Sequence, residues 1–239
     1  MNVLAIIPAR GGSIGLPKKN ILTVAGHPLL AYSIAAGMQS PSINRVICST
    51  DSEDIATVAS KYGAEVPFIR PAEYAQDFSP DIGAFIHAIT WLQENEKYTP
   101  DLIVQLRPTS PIRYIQDIEC GINMMQKETR ADSLRAVSPP ITSPYKMWTI
   151  SASKYLDPIL TIEAQKEPYN MPRQKLPEIW AQTGVLDIIK TDTIIKKKSM
   201  TGDRIIPLII EDEFYVDIDN RKSLNLAEIA IRETDCIKP

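Results

Sequence analysis

Ile6-Ile7-Pro8-Ala9-Arg10-Gly11-Gly12-Ser13-Ile14-Gly15-Leu16-Pro17-Lys18-Lys19-Asn20 is an apolar strand running straight into a loop of glycines and cations. Three glycines within five residues allow positive φ and let backbone N–H groups approach an anion, while Arg10, Lys18 and Lys19 supply countercharge. The spacing is neither a Walker A loop, which ends in Gly-Lys-Ser/Thr, nor Gly-x-Gly-x-x-Gly. Taken alone, the turn is equally compatible with a tight strand-to-helix connection, so the rest of the chain must decide.

At 239 residues, with 44% hydrophobic and 23% charged, the chain can bury one sizeable core, and a single domain over 1–239 is expected. A net charge of −3 speaks against nucleic acid as a partner and makes the cations of the opening loop a local feature. No cationic leader precedes a long apolar run, and no segment approaches the roughly 20 apolar residues of a membrane span, so a cytoplasmic protein with no membrane partner is expected. Cys48, Cys120 and Cys236 are too scattered for a disulfide framework or a zinc site. His27 and His87 have no metal-ligand spacing either, and structural roles are expected for both.

Short apolar runs alternate with segments of helical period, which is the pattern of an α/β fold with a mostly parallel central sheet flanked by helices. Strands are predicted at Val3–Ile7, Arg45–Ser49, Val66–Ile69, Leu102–Leu106, Ser133–Val137, Gly184–Ile189, Ile205–Ile210 and Phe214–Ile218. Helices are predicted from Pro28, after Ser52, from a Ser79–Pro80 cap to about Gln93, and from Arg221 to Glu233 behind an Asn220 cap. Residues 139–180 hold seven prolines, too many for long helices, and read as an inserted arm. Its Tyr145, Met147, Trp148, Tyr169, Met171 and Trp180 suit a dimer contact, with a flap over the chain's own site as the alternative.

Three further stretches bear on chemistry. In Tyr215-Val216-Asp217-Ile218-Asp219-Asn220 two carboxylates point to one side of a strand end, which suits Mg²⁺, although Asp219 and Asn220 could simply cap the last helix. Gln105-Leu106-Arg107-Pro108-Thr109-Ser110-Pro111-Ile112-Arg113 carries a buried strand into a rigid turn of hydroxyls and arginines, where ligands sit in open α/β sheets. Pro67-Phe68-Ile69-Arg70-Pro71 and Ala75-Gln76-Asp77-Phe78-Ser79-Pro80-Asp81 offer an arginine and a serine for hydrogen bonds, with a surface pair to Glu73 as the plain role for Arg70.

Together the motifs resemble those of the acylneuraminate cytidylyltransferases, the CMP-sugar synthetases that activate nine-carbon acidic sugars, in the family's order from Ile6 to Glu228. The resemblance implies a Rossmann-like nucleotidyltransferase fold with a proline-rich dimerisation arm, a homodimer, and CTP and an acidic nine-carbon sugar as substrates. It implies that Ala9, Arg10, Gly11, Gly12, Ser13, Lys19, Asn20, Arg70 and Ser79 hold the nucleotide and that Asp217 and Asp219 bind Mg²⁺. Arg10, Lys19 and Asp217 would be catalytic; Arg107, Thr109 and Ser110, with Lys146, Arg173 and Gln174 of the arm, would meet the sugar. Two departures stand out: Arg107 replaces a frequent glutamine, and Ile14 replaces a frequent lysine of the phosphate loop. A guanylyltransferase, a metal-dependent glycosyltransferase with an Asp-x-Asp pair, and a sugar-nucleotide sensor without turnover are the competing readings.

Overall fold

Six strands form one sheet in the computed structural model, which describes residues 1–13, 15–163, 165–210 and 215–239. We label them β1 (Val3–Pro8), β2 (Arg45–Ser49), β3 (Leu102–Gln105), β4 (Ser133–Ser138), β5 (Ala181–Lys190) and β6 (Ile205–Ile209). The order across the sheet is β6-β4-β5-β3-β1-β2. β1 is an interior strand, next to the edge strand β2, and its Val3 to Ile7 are apolar on both faces and all buried, as a strand covered by helices on either side must be. It pairs in parallel with β2 (Ile6 opposite Ile47) and with β3 (Leu4 opposite Ile103). β5 runs antiparallel to β3, which makes the sheet mixed.

Alternate residues of β1 feed two cores. Val3, Ala5 and Ile7 pack with Leu30 and Ile34 of α1 (Leu29–Gln39), Ile55 and Ala59 of α2 (Glu53–Lys61), and Ile118 and Ile122 of α4 (Ile115–Lys127). Leu4 and Ile6 pack with Phe85, Ile89 and Leu92 of α3 (Asp81–Glu96) and Ile194 of α5 (Thr191–Ile195). The result is the flanked, mostly parallel sheet expected from the alternating pattern. A third cluster seats α6 (Arg221–Glu233) against Leu29 and Tyr32, and α6 begins in a capping box between Asn220 and Ser223.

The sequence reading needs four changes. Val66–Ile69 is not a strand: Glu65 alone bridges to Ile47, and Pro67, having no N–H, cannot extend the ladder. Ser79 does not cap α3: Pro80 stands at the cap, and the Ser79 hydroxyl donates instead to the Glu73 carbonyl at 3.0 Å. Residues 215–218 are irregular, and Phe214 lies outside the described residues. Neither α4 nor α5 was anticipated; their caps, Tyr114 and Lys190, make no side-chain cap bond and so leave no signature.

The chain divides into two compact units, 1–136 with 183–239, and 137–182. Among its described residues the second has no α-helix; it holds three short 3₁₀ turns and a ribbon pairing Trp148–Ile150 with Leu156–Pro158. Among the described residues no helix is long and apolar enough to cross a membrane.

Candidate active site

The carboxyl ends of β1 and β3 open onto a cleft of about 450 Å³ within the first unit. Chain order reverses between these strands, β2 lying on one side of β1 and β3 on the other, and such switch points are where open α/β sheets bind ligands. The lining includes four cations, Arg10, Lys19, Arg70 and Arg107, against two acids, Asp81 and Asp219. Ser13, Asn20 and Thr109 also face it.

One wall is the loop after β1. Ala9 is buried and its N–H donates to the Ser49 carbonyl, so the loop leaves the sheet in fixed register with β2. Arg10 then turns outward, donating to the Gln76 carbonyl at 2.7 Å and lying 3.5 Å from the Asp77 carboxylate. Asn20 steadies the loop by donating to the Arg10 carbonyl at 2.9 Å. Lys19 donates to the Ile218 carbonyl at 2.8 Å and stands 3.4 Å from Asp219, while Lys18 pairs with Asp54 at 2.9 Å.

The glycines serve close approach, not the left-handed backbone anticipated for them. Neither Gly11 nor Gly12 has positive φ; Lys18, at φ 53, takes that conformation instead. A Cβ on Gly15 would lie 2.4 Å from the Asp219 carbonyl, so only glycine lets the loop press against the aspartate segment. The Gly11 N–H, anticipated as a phosphate donor, is given to Asp51 at 2.8 Å.

Arg70 forms the floor. It is buried, so the surface pair with Glu73 does not form; its Nε donates to Ser49 Oγ at 3.0 Å and its other nitrogens donate to the carbonyls of Ser49 and Tyr74. Burial pulls its pKa below the usual arginine value, with Asp51 and Asp81 opposing the shift. A buried cation whose hydrogen-bond partners are all neutral gives the floor a standing demand for an anion.

The opposite wall is the turn after β3. Arg113 is fully buried and ties the turn together, donating to the carbonyls of Val185 (2.6 Å) and Arg107 (2.7 Å) and to Ser33 Oγ (3.1 Å). Burial, and then Arg107, pull it down to about 9, so it stays protonated at neutral pH. Ser110 is set behind this wall: it is buried, and its hydroxyl lies where a Cβ on Gly184 would meet it at 2.9 Å. The Thr109 carbonyl accepts the Ile218 N–H at 2.8 Å, which docks the aspartate segment onto the turn.

Asp217 and Asp219 are both exposed and flank buried Ile218. Asn220 alone caps α6, leaving both carboxylates free of that duty. Two exposed oxygen donors beside a cationic cleft suit Mg²⁺, which keeps waters and takes further ligands from phosphates. Among the described residues no group of three or more His, Cys, Asp or Glu is placed to hold a metal.

The cleft thus gathers Arg10, Ser13, Lys19, Asn20, Arg70, Arg107, Thr109 and Asp219, while Ala9, Gly11, Gly12, Ser79, Ser110 and Asp217 are outside its lining. Lys146, Arg173 and Gln174 belong to the second unit: Lys146 donates to the carbonyls of Tyr169 and Met171, Arg173 donates to that of Pro140, and Arg173 and Gln174 line a pocket of about 340 Å³. Ile14 lies outside the described residues. Asp81 ended one of the candidate stretches without a role of its own, and Asp187 went unnamed. Asp81 lines the cleft and accepts from Gln105; Asp187 is buried behind Arg107, and an acid inside the apolar run Val185–Ile189 was the available signal.

A cationic cleft at the switch point of an open α/β sheet is suited to a phosphorylated ligand. Residues 4–149 match the cytidylyltransferase family, and the chain belongs to it. It is similar to the CMP-N,N'-diacetyllegionaminic acid synthase of Legionella pneumophila, 33% identical over 92% of this chain and 91% of that one. It is also similar to the pseudaminic acid cytidylyltransferase of Campylobacter jejuni, 42% identical over 47% of this chain and 48% of that one. A solved CMP:2-keto-3-deoxy-manno-octonic acid synthetase complexed with CTP shares the fold, with a TM-score of 0.72 over 98% of this chain and 99% of that one at 14% identity.

Proposed function

We propose that this chain transfers CMP from CTP to the anomeric hydroxyl of an acidic 3-deoxy-2-ulosonic acid of the nonulosonic class, releasing pyrophosphate. The observation that carries the reading is the excess of cations in the cleft of a chain whose net charge is −3. Such a site suits a nucleoside triphosphate and a second, carboxylated substrate. The names of the similar proteins supply the nonulosonic class.

In the proposed reaction the hydroxyl attacks the α-phosphorus in line, so the chain's task is positioning and charge neutralisation. Arg10 and Lys19 would exchange their present acceptors for phosphate oxygens and take up charge on the departing pyrophosphate. Arg107 would meet the sugar carboxylate, for which a guanidinium offers two parallel donors. Mg²⁺ held by Asp217 and Asp219 would neutralise the α-phosphate and make the hydroxyl more acidic. The enzyme would work in the cytoplasm as a homodimer joined through residues 137–182, where Ile141, Ile150, Tyr155 and Leu156 are exposed.

The test is pyrophosphate release from CTP, UTP, GTP and ATP with sialic, legionaminic, pseudaminic and ketodeoxynononic acids, recording product masses. The reading expects CTP alone to react, giving a CMP-sugar with at least one acid. Preferential use of GTP, or CTP binding without turnover on any acid, would overturn it.

A further inference from the structure

The polar side chains behind Arg107 form one connected row. Arg107 Nη1 donates to Asp187 Oδ2 at 2.5 Å, and Arg135 Nε donates to the other oxygen, Oδ1, at 2.7 Å. Arg107 Nη2 donates to Gln105 Oε1 at 3.1 Å, and Gln105 Nε2 passes the chain to Asp81 at 3.0 Å. Strand register builds the row: Gln105 of β3 lies opposite Asp187 of β5, and Arg107 follows Gln105 by two residues. On this face the apolar ladder of Ile103 and Ile189 gives way to charge at the point where the cleft opens.

We infer that Asp187 is a positioning residue that fixes the guanidinium of Arg107 for the acidic acceptor, using Arg135 to hold its own carboxylate in place. The inference rests on the proposed reading of the cleft. Asp187 is 2% exposed and lies behind the cleft lining, so it works through Arg107 and not on the substrate. A free arginine loses rotamer freedom when it binds a ligand; with two nitrogens already anchored, Arg107 meets that loss at folding and presents its remaining donors in one pose. With Asp187 and Asp81 against Arg107 and Arg135 the row is neutral as it stands, and Asp81, half exposed and 3.8 Å from Arg107, is the partner that an incoming carboxylate would displace while buried Asp187 keeps its hold. Arg107 and Asp187 are thereby one device, and the arginine at a position where the resembling family often has glutamine is matched by a partner on a strand far along the chain.

The test is a double-mutant cycle on Arg107→Gln and Asp187→Asn, with KM measured separately for CTP and the sugar acid. Asp187→Asn should raise the KM for the acid about tenfold, as expected for the loss of a charge-assisted contact, and leave that for CTP within about twofold. The double variant should match Arg107→Gln alone, because Asp187 acts only through that side chain. If Asp187→Asn does not fold, Arg135→Gln/Asp187→Asn keeps the charge of the row and takes its place. Additive effects, or equal damage to both substrates, would overturn the inference while leaving the proposed function intact. An Arg107→Gln enzyme with unchanged KM for the acid would overturn the assignment of Arg107 and the inference with it.

Discussion

The two walls of the cleft hold their cations in opposite ways. On the wall after β1 the partners are exchangeable: the acid facing Arg10 is 53% exposed and the acid facing Lys19 is 74% exposed. Such pairs are worth about 0–1 kcal/mol, so a triphosphate with Mg²⁺ can displace them. On the wall after β3, Arg107 is held by a buried acid and Arg113 by buried neutral acceptors. The lesson is a division of labour: one wall gives up its partners to a large, strongly charged ligand, and the other is preorganised for a smaller one carrying a single carboxylate.

The comparison breaks first at Arg113, where the largest effect is expected. Arg113→Met leaves the carbonyls of Val185 and Arg107 without their donor in a sealed site, and should cost about 3 kcal/mol or more in urea unfolding. A wild-type midpoint would mean that the turn is not held from behind. Asp217→Asn alters an exposed carboxylate outside the cleft lining and should behave in the reverse manner. Turnover should fall at least about a hundredfold with an unchanged melting temperature, and EDTA should abolish the wild-type rate. Activity that survives chelation would remove Mg²⁺ from the account.

Gly15→Ala sharpens the picture of the exchangeable wall. The new Cβ would meet the Asp219 backbone carbonyl at 2.4 Å, so loop and aspartates must separate, and kcat/KM should drop about tenfold together with a measurable loss of stability. Unaltered kinetics would show that their contact is incidental. Asp132 is the control for pH and the smallest effect. Lys197 and the N–H groups of Asp203 and Arg204 hold its carboxyl down to about 2, from an ordinary value of 3.8. A carboxylate depressed by folding stabilises fully above the ordinary value, and that stability is lost as pH falls through about 2. Wild type should therefore lose up to about 1 kcal/mol between about pH 4 and 2 that Asp132→Asn does not, while both keep the same KM for CTP at neutral pH.

How much of this could be read in the sequence depended on whether the cause was local. The run Val3–Ile7, the Asn220 cap and the prolines of 139–180 carry their structural consequence in neighbouring residues, and those elements stand where the pattern puts them. Ser79 misled because the helix begins one residue later than the Ser-Pro pair suggests, with Pro80 itself at the cap and Asp81 as the first helical residue. The glycines misled because close approach to Asp219, some two hundred residues away, asks for the same residue type as positive φ does. The surface pair offered as the plain role of Arg70 fails because burial is a property of the assembled sheet. Asp187 lies on β5 and Arg107 just beyond the end of the antiparallel strand β3, and no local periodicity announces a pair of that kind.

The most direct measurement of the division between walls is a paired set of initial-rate kinetics on Arg10→Ala and Arg107→Gln, varying CTP and the sugar acid independently with Mg²⁺ present. Arg10→Ala should raise the KM for CTP about tenfold or more and leave that for the acid within about twofold; Arg107→Gln should do the opposite. If each variant damages both substrates equally, the cleft acts as one undivided cationic surface, and the contrast between exchangeable and locked walls has no functional meaning.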